Sequence, residues 1–282
     1  MKKKIILLFI LILMPGVVLA SEEYQNYFGI TMTEEEYSNL YELGFTEDEI
    51  YYMSESEFNY NKDLNGNLEA TSTRYFANII RYDATGRIIS NSDMEITEED
   101  YNSETVMPLS DGYIETTYKK MRTTISANGT KYRYKVTLTW KIMPAVRSYD
   151  IIGIGCDSAV VYISGNTQRF SQTYCIGNSC TNAATYSSRS TGANGSGVSF
   201  KVPSSTSITS MQSFFYYDVN KNTTNTVTYM LAYGDYAHAT KTITAGAAQG
   251  FEVHQGGVIP FDSIESYYDS INSANAEWEG SW

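Results

Sequence analysis

The sequence is poor in the residues that most often announce chemistry. Its 282 residues include two histidines, His238 and His254, and three cysteines, Cys156, Cys175 and Cys180. Without paired spacing they are too thin a ligand set for zinc. No cofactor motif occurs, so no cofactor is expected. Cations are scarce too, with 20 Lys and Arg against 32 Asp and Glu. A nucleic-acid binder needs a basic domain, which sets that class of partner aside. Beyond Met14 no second long apolar run follows, and no spanning helix is expected.

What is present begins at the N-terminus. Lys2, Lys3 and Lys4 precede an apolar run from Ile5 to Met14, Pro15-Gly16 breaks it, and Val18-Leu19-Ala20 supplies small residues before Ser21. This is the pattern of a signal peptide over residues 1–20 cleaved after Ala20. Ser21, not Cys, follows the cut, so the expectation is a secreted, extracellular protein without a lipid anchor. The 25 tyrosines and the abundance of Ser, Thr, Asn and Gly suit an extracellular β-rich chain.

Charge is unevenly placed. Loss of the three leader lysines takes the formal net charge from −12 to −15. Glu22 to Glu104 carries 20 acids and 4 bases, whereas Thr105 onward carries 12 and 13. The division expected is an acidic helical cluster plus β-hairpin over 21–104, then an all-β domain over 105–282.

Four hexapeptides mark helix starts: Met32–Tyr37, Phe45–Ile50, Met53–Phe58 and Ile96–Tyr101. Each has a Thr or Ser N-cap with an acid three residues on, and apolar residues placed as a hydrophobic staple. Helices are expected near Glu34–Leu43, Glu47–Met53 and Glu55–Asn61, with Gly44 ending the first. Ala70–Tyr82 and Arg87–Asp93 flank Asp83-Ala84-Thr85-Gly86 as a hairpin. The segment Tyr82–Ile88 also resembles one unit of the YD repeats of large secreted toxins.

From Gly112 strand signals dominate. Tyr118–Ser126 and Lys131–Lys141 flank Asn128-Gly129, the strongest short hairpin signal. The second strand alternates: Tyr132, Tyr134, Val136, Leu138 and Trp140 on one face, Lys131, Arg133, Lys135, Thr137 and Thr139 on the other. Further strands are expected at 149–156, 159–164, 169–174, 197–202, 211–219, 227–233 and 238–244, with Ser187–Ser196 as a loop. Ile264, Tyr267, Tyr268 and Ile271 fit a helical face, and Ala274–Trp282 fits a closing strand. The fold class expected is mainly β: an antiparallel β-sandwich or barrel-like domain behind the helical cluster and hairpin.

Cys175 and Cys180 enclose only four residues and are the expected disulfide. Cys156 is then a buried thiol in the strand 151–156, or else an odd thiol that is reactive or joins another molecule.

The opening Met32–Tyr37 and Leu43–Ile50, the strand Ser148–Gly155 and the segment Tyr233–Thr240 together resemble uncharacterised secreted proteins of Gram-positive bacteria. The resemblance implies export and carries over no activity and no catalytic residues.

Candidate sites are few. Asn61, Asp63, Asn65 and Glu69 resemble a calcium loop. Position 1 is Asn and position 12 is Ser72, so a helix-to-strand turn is preferred and no metal is assigned. Cys156, His238 and Asp235 supply the residue types of a thiol hydrolase. Gly195-Ser196-Gly197 lacks the serine-hydrolase elbow, and Asp150, Asp157, Asp218 and Asp235 offer carboxylates without a reason to choose a pair. Binding has the better claim. Tyr216, Tyr217, Tyr233 and Tyr236 are candidate contact residues in the manner of Tyr-rich paratopes. Lys131, Arg133 and Lys135 form a cationic stripe suited to anionic wall polymer or lipid.

The reading preferred is a secreted, non-enzymatic extracellular binding or interaction protein. Its partners would be a cell-wall polymer, glycan or surface protein, with a membrane surface less favoured. The alternatives are a membrane-active protein deploying the hairpin 118–141, and a hydrolase. The charge asymmetry raises one more expectation, that the acidic helices lie over the cationic hairpin. The competing view has two separately solvated surfaces tethered by Asn102–Asp111.

Overall fold

The computed structural model describes residues 23–104, 114–260, 265–270 and 273–282. The leader expected over 1–20, the part of the connector around Pro108, and Ile264 and Ile271 lie outside them.

All four hexapeptides open helices. After a small ribbon of β1 (Glu23–Gln25) and β2 (Thr31–Thr33) come α1 (Glu34–Glu42), α2 (Glu47–Tyr51) and α3 (Glu55–Asn61), with α4 (Glu98–Ser103) later in the chain. Thr33, Thr46, Ser54 and Thr97 each accept the amide three residues on. The reciprocal capping bond closes at Glu36 and Glu49. Gly44, at φ +87°, follows α1 in the left-handed conformation that ends a helix.

The long hairpins follow: β3 (Gly66–Tyr82) with β4 (Ile88–Ile96), then β5 (Ile114–Asn128) with β6 (Lys131–Trp140). β3 pairs with β5 from Gly66↔Asn128 to Arg81↔Ile114, so both hairpins belong to one sheet. The remaining strands are β7 (Tyr149–Cys156), β8 (Val161–Ile163), β9 (Arg169–Ile176), β10 (Ser179–Ala183), β11 (Ser188–Gly192), β12 (Gly195–Lys201), β13 (Ser210–Lys221), β14 (Tyr229–Ala239), β15 (Phe251–His254), β16 (Gly257–Pro260), β17 (Tyr268–Ser270) and β18 (Ala274–Glu279).

Pairing is antiparallel throughout the described residues. An eight-stranded sheet runs β10-β9-β13-β6-β5-β3-β4, with β8 also on β13. A six-stranded sheet runs β11-β12-β7-β14-β17, with β18 also on β14. They face each other as a sandwich. Met121, Ile125, Tyr134, Val136, Leu138 and Trp140 from the first sheet share a buried cluster with Ile152, Ile154, Val198, Phe200 and Trp278 from the second. Each such side chain contributes about 1.5–3 kcal/mol on burial.

The other face of the eight-stranded sheet is also covered. Leu40, Leu43, Phe45, Ile50, Met53 and Phe58 of the helical layer pack onto Phe214 and Tyr216 of β13. Most of these are the staple residues of the hexapeptides, so the motifs that start the helices also seat them. The acidic helices do lie over the cationic strand face.

Three strand expectations need correction. Ser187–Ser196 is not a loop but the β11–β12 hairpin and its turn. The strands expected at 227–233 and 238–244 are replaced by one strand, β14, which runs through Gly234 and ends at Ala239, leaving 240–244 outside any strand. Gly234, which reads as a break, lies mid-strand because the sheets approach closely there: a Cβ would stand 1.8 Å from Thr123 Oγ1. Third, the β15–β16 hairpin was not foreseen. It lies on a floor of Gly153, Gly155 and Gly197, where a Cβ at Gly155 would come within 2.2 Å of His254 O.

Cys175 and Cys180 form the disulfide, directly opposite in the β9–β10 register with Cα atoms 4.1 Å apart. Cys156 is a free, buried thiol.

Candidate functional site

Most residues expected at a binding surface are interior. Tyr216, Tyr217, Tyr236, Arg133 and Lys135 are all 0% exposed, and this corrects their reading as contact residues. The alternation in β6 does separate two faces, but the polar one meets the helical layer instead of water. Tyr233 and Lys131 are half-buried, Lys131 donating to Ser164 Oγ at 2.9 Å.

The interlayer contacts are matched in charge. Lys135 Nζ donates to Glu49 Oε1 at 2.5 Å and to Thr137 Oγ1 at 2.8 Å. Arg133 donates to Asp218 Oδ1 at 2.8 Å and to Asn61 Oδ1, with its guanidinium 4.2 Å from the Tyr216 ring centroid. Burial pushes the Glu49 carboxyl up, but Lys135, Thr137 and the Thr46 amide outweigh it and hold it below the usual range. Burial pushes Lys135 down to about 8 despite Glu49. Glu57 is raised by burial, and it accepts the Tyr216 hydroxyl.

The calcium-loop candidates are engaged separately. Asn61 is buried between Glu57, Tyr216 and Arg133. Asp63 pairs with Lys62 at 3.1 Å, and Glu69 accepts from Asn67 at 2.6 Å. Asn65 is exposed in the turn that leads into β3.

The thiol-hydrolase residues are not brought together. Cys156 pairs with Ala232 across β7 and β14, so His238 lies roughly 20 Å further along the strand at about 3.3 Å per residue. Asp235 faces the other way, accepting the Val258 amide at 2.7 Å. Burial also pushes the Cys156 thiol up to about 11, which keeps it protonated and unreactive.

A second polar cluster occupies one end of the sandwich interior. His238 Nδ1 lies 3.0 Å from Asp150 Oδ2, and Asp150 also accepts the Tyr236 hydroxyl. Lys119 Nζ sits 2.8 Å from Asp93 and 3.5 Å from Asp269. Burial, with Asp269 adding to it and Lys119 opposing, pushes Asp93 up to about 7. Among the described residues, His238 Nε2, Asn78 Oδ1 and Thr117 Oγ1 have no hydrogen-bond partner. A His–Asp pair is a general base only where the far nitrogen meets substrate. His238 is 0% exposed, edge-on to Trp140, so its far nitrogen does not face solvent.

Beside this cluster, Asp235, Tyr268 and Asp269 line a cavity of about 610 Å³ alongside β16, which contributes Val258, Ile259 and Pro260. Burial pushes Asp235 up to about 7 in spite of the Val258 and Tyr236 amides it accepts. The Val258 bond gives Asp235 a structural task, pinning β16 to the sheet.

An open aromatic groove lies on the helical layer. It has a volume of about 400 Å³ and runs between β1 and α2, floored by Asn26, Met32 and Ile50 and walled by Tyr24, Tyr37 and Tyr51, with Glu47 and Asp48 at its rim. Tyr24 and Tyr37 stack with centroids 4.6 Å apart. Tyr24 is 36% and Tyr51 48% exposed, so the ring walls of the groove are open to solvent.

The groove is built by local sequence. Thr46 starts α2 and sets Glu47 and Asp48 in its first turn, where the helix dipole favours acids. Asn26 Oδ1 accepts the Phe28 and Ile30 amides, turning the chain between β1 and β2. Tyr27 ties the wall to the rest of the molecule: its amide donates to Tyr51 O at 2.8 Å, and its hydroxyl accepts from Cys180 N at 3.0 Å and donates to Asn178 O at 3.1 Å. The disulfide hairpin is therefore a brace for the groove.

None of the groove residues stood out as a site in the sequence. The available signal was an absence: Ser21 to Asn61 contains no Lys, Arg or His. The chain matches no protein-family model and no curated protein.

Proposed function

We propose that this is an exported protein that binds an extracellular ligand through the aromatic groove of its helical layer. One observation carries the reading: Tyr24 and Tyr51 stay exposed beside Tyr37 in a preformed concave surface, while Tyr216, Tyr217 and Tyr236 are buried. Rigid aromatic rings with polar tips give contact area at low entropic cost, which is how binding surfaces use them. Export is supported by the leader-like residues 1–20 and is compatible with the disulfide, which forms in oxidising compartments. No helix among the described residues is long and apolar enough to cross a membrane.

The other two readings have less support. The β5–β6 hairpin that a membrane-active protein would deploy has both faces engaged, by helices and by the second sheet. The residue types of a hydrolase are present but dispersed or sealed. The partners in view are a wall polymer, a glycan or a surface protein. The test is capture from isolated cell walls and surface extracts with the wild-type chain and with Tyr24→Ala/Tyr51→Ala. Loss of one specific captured species in the variant, with an unchanged thermal melt, supports the reading. Identical capture profiles would place recognition elsewhere.

A further inference from the structure

The groove offers one kind of chemistry. Its walls are tyrosine faces, its rim is the exposed carboxylates of Glu47 and Asp48, and no cation is among its lining residues. Two other acids of the layer are matched, Glu36 with Lys62 and Glu49 with Lys135. Among the described residues no ion pair reaches Glu47 or Asp48.

The underside of the layer shows what such a set of groups holds. There the Arg133 guanidinium lies 4.2 Å from the Tyr216 ring and bonds Asp218, and Lys135 lies 5.0 Å from the Phe45 ring and bonds Glu49. Arg169 lies 4.1 Å from the Tyr60 ring. Each combines an aromatic face with a cation, and two of the three add a carboxylate. The outer groove repeats the aromatic and anionic parts and contains no cation of its own.

We infer that the groove takes an arginine side chain of a basic protein partner, its guanidinium set against the tyrosine rings and the Glu47 and Asp48 carboxylates. Arginine suits the site because a planar guanidinium stacks on rings and bonds a carboxylate through two N–H groups at once. A neutral glycan would stack on the ring faces and donate hydroxyls to the two carboxylates, but it would leave their negative charge uncompensated. The groove's size also suits one long side chain with its flanking backbone better than an extended polymer.

This inference rests on the groove being the recognition surface, and the experiment separates the two. The probe is an acetylated, amidated Gly-Arg-Gly-Arg-Gly peptide, with a counterpart in which citrulline, neutral and nearly isosteric, replaces each arginine. Both are titrated into the purified full chain by calorimetry and followed by amide chemical shifts. The arginine peptide should bind saturably, with shifts centred on residues 24–51, and the citrulline peptide about tenfold more weakly. Tyr51→Ala and Glu47→Gln/Asp48→Asn should each weaken binding to a similar extent, while Tyr51→Phe, which keeps the ring, should retain it. Equal affinity for the two peptides, no saturable binding, or binding indifferent to Tyr51→Ala would overturn the inference. If the arginine peptide fails while Tyr24→Ala/Tyr51→Ala still abolishes capture from surface extracts, the groove stands and only its cationic ligand falls. If both fail, so does the groove.

Discussion

The strand β6 meets two neighbours that differ in kind. Toward the second sheet it presents Tyr134, Val136, Leu138 and Trp140, which pack against aliphatic and aromatic side chains. Toward the helices it presents Arg133, Lys135 and Thr137, which are equally buried but held by Asp218, Glu49 and Asn61. The first contact is non-directional and tolerant, since apolar surface is rewarded by area. The second is conditional, because each buried charge is stable only while its partner is in place. One sheet thus has a face secured by volume and a face secured by pairing. The acidic character of the helical layer is in part the complement of the second face.

The strongest way to break this comparison is to remove one partner altogether. A chain beginning at Thr105 would lack the helices and also β3 and β4, leaving β5 with a single neighbour and Arg133, Lys135, Phe214 and Tyr216 uncovered. It should show no cooperative thermal transition by circular dichroism and no dispersed amide spectrum. A cooperatively folded product would mean that the helical layer is an accessory and not a third layer of the core.

A single atom group sharpens the same point. Glu49→Ala should lower unfolding free energy in urea by about 3–5 kcal/mol, because it leaves the Lys135 ammonium buried and alone. Glu49→Leu combined with Lys135→Met should recover most of that loss, since the pairing face would then be held by volume. If the double variant is no better than the single one, shape and not charge governs the contact.

The smallest effect concerns Asp235, which anchors the β16 hairpin. Its folded pKa of about 7 lies above its ordinary value of 3.8. The folded state therefore holds the proton more tightly than the unfolded state between those values. This contribution is full below pH ~4 and is lost as pH rises through 7. Asp235→Asn should match the wild-type Tm at pH 5 and exceed it by about 2–5 °C at pH 8. A variant less stable at both pH values would show that the two accepted amides matter more than the buried charge.

The sequence was most legible where local chemistry decides the outcome. Thr33, Thr46, Ser54 and Thr97 cap helices, Gly44 ends one, Asn128-Gly129 turns a hairpin, and Cys175 meets Cys180 across a tight strand pair. The alternation in β6 was also read correctly as two faces. What the alternation does not supply is the identity of the second neighbour, so Arg133 and Lys135 read as a stripe for an anionic polymer or lipid. Tyrosine carries the same ambiguity. Tyr216 and Tyr51 have the same chemistry, and only the packing of distant elements makes one core and the other surface. The charge asymmetry between the two regions did point at their contact, because opposite charges on one polar face need a match when buried.

The glycine floor under β15–β16 bears on how the chain reaches its register. Side chains alternate along β7, so the glycines at 153 and 155 share one face and Ile152 and Ile154 the other. A slip of one residue against β12 or β14 would turn the isoleucines outward, onto the surface where Val253 and Val258 must lie. The hairpin seats only when that surface is flat. Its docking is thus a late check on strand alignment, and a misaligned molecule would leave residues 251–260 unseated and open to proteolysis.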